Sequence, residues 1–129
     1  MPRDDLAGRL LLALERRDEL LLANLLTSDV VLVVDTGDRS GGELRGRVRV
    51  IRALLDLRMP HPDAELEGAH VNGGPGLVVR ALDGLVVGIL AIDAEPAGAP
   101  DGGDSTGRLW LTTAPRKLAH WNRRRPVVQ

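Results

Sequence analysis

Residues 70–81, HVNGGPGLVVRA, set three glycines and a proline into sequence that otherwise reads as apolar β-structure. A dinucleotide-binding fingerprint needs its glycines between a parallel strand and a helix. Here Leu77, Val78, Val79 and Ala81 instead continue as a strand up to the pair Asp83-Gly84. The context excludes a phosphate cradle, and Asn72 to Gly76 is expected to be a turn whose glycines accept positive φ and whose proline fixes one bend. Asp-Gly between two apolar runs is itself a hairpin signal. The segments AELEGAHV, GLVVRAL, LVVGILAID and RLWLTT therefore read as four strands of an antiparallel sheet.

The first half of the chain follows a different period. Leu6, Leu10 and Leu14 recur every four residues, with Ala7 and Leu11 beside them and Arg9, Glu15 and Arg16 opposite, which predicts an amphipathic helix. Asp18 is placed to cap a second helix through Leu20 to Leu26, with stop and turn chemistry in Thr27, Ser28 and Asp29. The run VVLVVD, residues 30–35, is too short for a helix and apolar on both faces, so it reads as a buried strand ending on a carboxylate. Residues 36–43 are expected to be a loop, Val48 to Leu57 a third helix stopped by Pro60 and Pro62, and Ala114, Leu118 and Trp121 one face of a short helix opened by Pro115. EPAGAPDGGDST, residues 95–106, is expected to be a mobile loop, and residues 123–129 a flexible tail. Helices followed by a run of strands define an α+β architecture, one curved antiparallel sheet covered on one side by about three helices, in a single domain over 1–129.

Composition narrows the chemistry. The chain has 129 residues and no cysteine, which rules out disulfides, thiolate metal sites and a thiol nucleophile and fits a cytoplasmic location. A formal net charge of −1 gives no overall attraction to nucleic acid, and Arg123, Arg124 and Arg125 read as a solvated tail. Two tryptophans with no tyrosine or phenylalanine leave little for a base-stacking surface and nothing for a phenol-based oxyanion site. No apolar run approaches the roughly 20 residues of a membrane-spanning helix.

The order helix, helix, VVLVVD, Gly-rich loop, helix, VNGGPGLVV, Asp-Gly hairpin, LWL and APRKLAHW resembles the SnoaL-like domain at the C-terminus of one group of extracytoplasmic-function sigma factors, over roughly residues 5–122. The resemblance implies the cone fold of the nuclear transport factor 2-like superfamily, with a pocket enclosed by sheet and helices, and a regulatory role through contact with the sigma core. The family's loop of aspartate, three glycines and lysine corresponds to Asp35, Thr36, Gly37, Asp38 and Arg39; Asp35 and Gly37 match, and Arg39 keeps the charge. The family's Asn-Pro-Asp-Lys-Leu element corresponds to Ala114, Pro115, Arg116, Lys117 and Leu118, with Thr113 as a substitute cap. Because the chain opens at Met1 just before the first helix, it is expected to stand alone rather than to carry sigma regions. Curved sheets of this superfamily often pair through their outer faces, and segments 77–81 and 85–92 are apolar on both sides, so a homodimer is expected.

Related pocket enzymes move a proton at carbon with a carboxylate whose pKa an apolar pocket raises. By position the candidates for a pocket are Asp35, His70, Asn72, Arg80, Asp93 and Trp110, with Asp35 or His70 as the proton shuttle of an alternative cyclase, isomerase or hydrolase acting on polyketide-like or other apolar substrates. Each also has a plain role: Asp35 and Asp93 as solvated strand-end acids, His70 as a hydrogen-bonded structural histidine, Arg80 paired to an acid or facing an anionic ligand, Trp110 as core. His61, His70 and His120 show no metal-binding spacing, and neither metal nor cofactor is expected. The lack of phenols weighs against the enzyme. The favoured reading is a non-enzymatic SnoaL-like domain that binds a protein partner or a small apolar ligand, with a role in transcription regulation implied by the resemblance. Its interaction elements would be the loop Asp35, Gly37, Asp38, Arg39 and the C-terminal helix, with no direct contact to nucleic acid or membrane.

Overall fold

A computed structural model describes residues 6–94 and 105–123. The expected mobile loop and tail lie outside the described residues, except for Ser105, Thr106, which already belongs to a strand, and Arg123, which belongs to a helix. In chain order the elements are α1 (Leu6–Arg16), α2 (Glu19–Leu25), β1 (Leu26–Asp35), β2 (Gly42–Arg45), α3 (Arg47–Leu55), β3 (Glu65–Val71), β4 (Gly74–Arg80), β5 (Val86–Ala94), β6 (Thr106–Thr112) and α4 (Pro115–Arg123). The six strands form one curved open sheet in the order β2-β1-β6-β5-β4-β3. The fold class is mixed α+β, as the two periodicities predict.

The helical period works out in detail for α1, which buries Leu6, Ala7, Leu10, Ala13 and Leu14. It ends without a glycine: Arg17 takes a left-handed φ of 53°, and Asp18 N–H bonds the Ala13 carbonyl. A glycine usually fills that position, so the sequence gives no stop signal there. Asp18 then caps α2, its carboxylate accepting from Leu21 N–H at 3.1 Å. Beyond α2 the expected turn at Thr27 to Asp29 is absent, because β1 begins at Leu26 and runs straight through it. Those three polar residues lie near the start of a long strand, between buried Leu26 and the buried run Val30 to Leu32. Likewise the expected loop over 36–43 gives way at Gly42 to β2, a short edge strand paired with β1. The third helix stops at Leu55, before either proline, where Asp56 N–H turns back onto the last carbonyls.

The hairpin signals hold where they are local. Asn72 and Gly73, at φ 54° and 82°, make a two-residue reversal between paired Val71 and Gly74. The turn is tighter than the expected Asn72 to Gly76, since Gly74, Pro75 and Gly76 already pair with β3. Pro75 is tolerated because the β4–β5 ladder starts only at Gly76. The Asp83-Gly84 pair reverses the chain between β4 and β5, with Gly84 at φ 91°. Non-local pairing is where the sheet departs from expectation. Alongside its antiparallel ladders, β1 and β6 lie parallel at the centre, Leu32 beside Leu109 and Asp35 beside Thr112. Hairpin chemistry fixes the direction only of sequential strands; β1 and β6 are joined through most of the chain, which leaves either direction open.

One face of the sheet carries Leu32, Leu77, Val79, Leu90, Ile92 and Leu109, packed against Leu10, Leu22, Val50 and Leu54 of the first three helices. Each fully buried leucine contributes about 1.5–3 kcal/mol by removal from water. On the opposite face Val71, Val78, Val86 and Ile89 form a smaller cluster with Leu118 of α4, and Trp121 packs against it. Three helices thus cover one side, and the short fourth covers part of the other. Gly76 is set by close approach: a Cβ there would lie 2.5 Å from Val71 Cγ2 and 2.7 Å from the Leu90 carbonyl oxygen. At Gly68, one strand away, a Cβ would meet nothing within 4 Å. Gly76→Ala should therefore lower stability by about 1–3 kcal/mol, while Gly68→Ala should stay within about 0.5 kcal/mol of the parent, both read from urea unfolding midpoints.

Candidate functional site

The two strands that end side by side, β1 and β6, decide what meets at this end of the sheet. Thr113 N–H donates to the Asp35 carbonyl at 2.9 Å, continuing the parallel ladder one step past the strands. The chain after β1 then turns through Gly37, whose N–H donates to Asp35 Oδ1 at 3.0 Å. Lys117 on the first turn of α4 reaches back to Asp35 Oδ2 in an ion pair. A Cβ on Gly37 would come within 3.1 Å of Ala114 Cβ, so the loop lies directly on the entry to α4. Of the residues matched to the two motifs, Asp35, Gly37, Pro115 and Lys117 join loop to helix, while Leu118 packs on the outer sheet face. The N-cap place of α4 falls to Ala114, whose carbonyl accepts from Lys117 and Leu118, rather than to Thr113.

Asp38 organises the outer part of the loop. Its Oδ1 accepts from the Ser40 hydroxyl at 2.7 Å, Ser40 N–H at 2.9 Å and the Thr36 hydroxyl at 2.8 Å. These donors stabilise the ionised form and pull the carboxyl from the ordinary 3.8 down to about 2. Lys117 does the same for Asp35, assisted by Gly37 N–H, and its pKa is likewise lowered. Arg39 at the tip is exposed.

At the far end of α4, Asn122 mimics a strand: its Oδ1 accepts from Val86 N–H at 2.8 Å and its Nδ2 donates to the Val86 carbonyl at 3.2 Å. The β4–β5 register shifts between Val79 and Arg80, and Asn122 satisfies the backbone groups of Val86 beside that shift. Held at both ends, α4 walls one side of a cavity of about 920 Å³ at the open end of the cone. Ala53 and Leu57 of α3 and its exit line the other side, and Val79, Val87 and Leu111 of the sheet form the floor. The polar groups on its lining are Asp56, His61, Thr113 and Asn122.

A second hollow, of about 1080 Å³, lies on the outer sheet face. Here the structure brings together five of the residues singled out in the sequence: Asp35, Asp38, Asn72, Asp93 and Trp110 border this groove, not the cavity. Trp110 is 37% exposed, and the Arg108 guanidinium carbon lies 5.8 Å from its ring centroid. Asp93 is exposed, and its carbonyl accepts from the Thr106 hydroxyl at 2.6 Å. Arg80 is committed to an acid, with Nε 3.0 Å from Glu67 Oε2 and Nη1 3.0 Å from the Gly84 carbonyl. His70 stands exposed on the edge strand β3 and borders neither hollow. Among the described residues no group of three or more histidines and acids could hold a metal ion, and no helix is long and apolar enough to cross a membrane.

The cavity's own polar groups escaped the sequence reading. Asp56 and His61 follow α3 in a polar, proline-flanked stretch with no periodic signal, and only the closure of the cone sets them across from α4. Asn122 was legible in principle, as the polar residue four positions after Leu118 on the packed face of α4.

The chain has the cone fold of SnoaL-like and nuclear transport factor 2-like proteins. It is similar to the extracytoplasmic function sigma factor SigJ of Mycobacterium tuberculosis, with 25% identity and a TM-score of 0.63 over 89% of this chain. The match spans 43% of the length of that sigma factor. A SnoaL-like protein of unknown function from Burkholderia thailandensis matches at 13% identity and a TM-score of 0.54, over 81% of this chain and 88% of its own. A structure described as Rd1NTF2_04 with long sheet matches at 16% identity and a TM-score of 0.60, over 82% of this chain and 95% of its own. No protein-family model and no curated protein matches the sequence.

With a depressed pKa, the ordering that Asp38 gives the loop is complete above the ordinary 3.8 and is lost as pH falls toward about 2. Carbon-detected NMR should find its carboxyl titrating near that lower value, and Ser40→Ala should raise the midpoint toward 3.8. A midpoint unchanged by Ser40→Ala would show that the loop does not hold Asp38 as described.

Proposed function

We propose that this protein is a non-enzymatic, cytoplasmic SnoaL-like domain that takes a small apolar ligand into the cavity between α3, α4 and the sheet, and that it serves regulation rather than catalysis. The observation that carries this reading is the cavity itself: roomy, floored by aliphatic side chains, and walled by a helix pinned at both ends. A volume of about 920 Å³ falls in the range of small-molecule sites. The likeness to part of a sigma factor supports the regulatory half of the reading.

The alternative, a cyclase, isomerase or hydrolase with Asp35 or His70 as proton shuttle, finds less support. A general base near neutral pH needs a pKa close to the working pH. Asp35 moves the other way, below its ordinary value, under its ion pair with Lys117, and it lines the outer groove. His70 faces solvent away from both hollows.

The same reading puts a protein partner on the loop Asp35, Gly37, Asp38, Arg39 with α4, since the Asp35–Lys117 ion pair joins the two and the outer tip, Asp38 to Ser40, is exposed. It also puts a homodimer contact on the outer sheet face, where Trp110 is 37% exposed. Sedimentation at micromolar concentration should give a dimer that Trp110→Asp dissociates.

For the ligand, titration with a solvatochromic dye such as Nile red and with medium-chain fatty acids should raise the thermal midpoint and give saturable fluorescence. Ala53→Trp, which fills the cavity from α3, should reduce binding by about tenfold or more while leaving the circular dichroism spectrum unchanged. Equal binding by parent and Ala53→Trp would place the ligand elsewhere and end this reading.

A further inference from the structure

Charge is unevenly distributed over the helical layer. The stretch RGRVRVIR, residues 45–52, holds Arg45, Arg47, Arg49 and Arg52 with no acid, in a chain whose formal total is −1. These residues end β2 and begin α3, and the first turn of α3 carries arginine and no acid. Cations there oppose the helix dipole, which favours negative charge at an N-terminus. Internal structure explains only part of the arrangement. Arg45 pairs with Glu43 at 3.1 Å, and Arg47 Nε donates to the Leu26 carbonyl at 3.0 Å. Arg49 and Arg52 are exposed and have no partner among the described residues.

Two apolar side chains of the same two helices are exposed: Val48, between Arg47 and Arg49, at 72%, and Leu20, at the start of α2, at 80%. The Arg47 contact to Leu26 sets the start of α3 beside the end of α2, and Arg17 Nη1, 3.1 Å from the Leu55 carbonyl, sets the end of α3 beside the start of α2. The two helices therefore run antiparallel, and their exposed side is basic at the start of α3, with Leu20 at its other end. Its acids, Glu19 and Asp56, stand at the other end.

We propose that this α2–α3 surface docks an acidic segment of a partner protein that carries leucine-like residues between its carboxylates. Arginine offers paired donors matched to carboxylates, and Val48 and Leu20 supply the apolar contacts that a purely ionic surface lacks. Those apolar residues and the shortness of the basic stretch favour a peptide over duplex DNA, whose binding draws on many phosphate contacts. The inference does not depend on the cavity.

The test is fluorescence anisotropy with a labelled peptide of roughly ten residues alternating Glu-Glu with Leu-Leu, beside an all-Glu peptide and a duplex of about twelve base pairs. The Glu/Leu peptide should bind saturably, weaken as salt rises from about 50 to about 300 mM, and lose about tenfold or more in affinity to Arg49→Glu/Arg52→Glu. Val48→Ser, a milder change at an exposed site, should weaken it by roughly threefold, and Ala53→Trp should leave it unchanged, separating this surface from the cavity. Absence of saturable binding overturns the proposal, as does equal or tighter binding of the all-Glu peptide or the DNA. Undiminished binding to variants that keep the parent's circular dichroism spectrum overturns it as well.

Discussion

Asp35 and Thr112 are neighbours at the same end of two parallel strands, and the hydrogen bond from Thr113 N–H to the Asp35 carbonyl carries that pairing one residue further. Everything at the open end of the cone depends on it. Because β1 and β6 point the same way, the loop that follows one and the helix that follows the other emerge side by side. Lys117 can then reach Asp35, and Gly37 can lie against Ala114. An antiparallel pairing would send the two exits to opposite ends of the sheet, leaving α4 with Asn122 as its remaining polar anchor.

The anchoring of α4 gives the cavity one of its walls. The helix is short and mostly polar, so propensity alone holds it weakly. Leu118 and Trp121 on a small apolar cluster, Lys117 on a carboxylate and Asn122 on a strand backbone hold it instead. The exposed Asp35–Lys117 pair adds modest stability; its geometric effect is larger, because it sets the loop and the helix entry in one arrangement. Asp35, Gly37 and Lys117 thus meet one another, while Asp38 and Arg39 stand outside.

The two hollows divide the chemistry. Aliphatic side chains floor the inner one, and its polar groups are few. The outer groove gathers the carboxylates and the exposed tryptophan, with both loop acids held ionised by local donors. A carboxylate stabilised in its charged form on an outer surface suits recognition or structural pinning better than proton transfer, which requires the opposite shift.

The sequence by itself determined each element whose signal is local. The periods of α1, α3 and α4 are read directly, as are the Asp18 cap, the Asn72-Gly73 and Asp83-Gly84 reversals and the buried run in β1, because their causes lie within a few residues of their effects. Where a local signal was missing or overridden, the reading slipped: Arg17 ends a helix without glycine, Thr27 to Asp29 enter a strand, and β2 forms from a sequence with turn composition because the edge of β1 was there to pair with it. Only the tertiary structure decided that β1 and β6 are parallel. The same closure put Asp35, Asp93 and Trp110 on the outer face and brought Asp56, His61 and Asn122 to the cavity. Alternation along a strand separates its two faces, but which face turns inward depends on how distant strands pair and on where the helices dock, and no residue carries that choice alone.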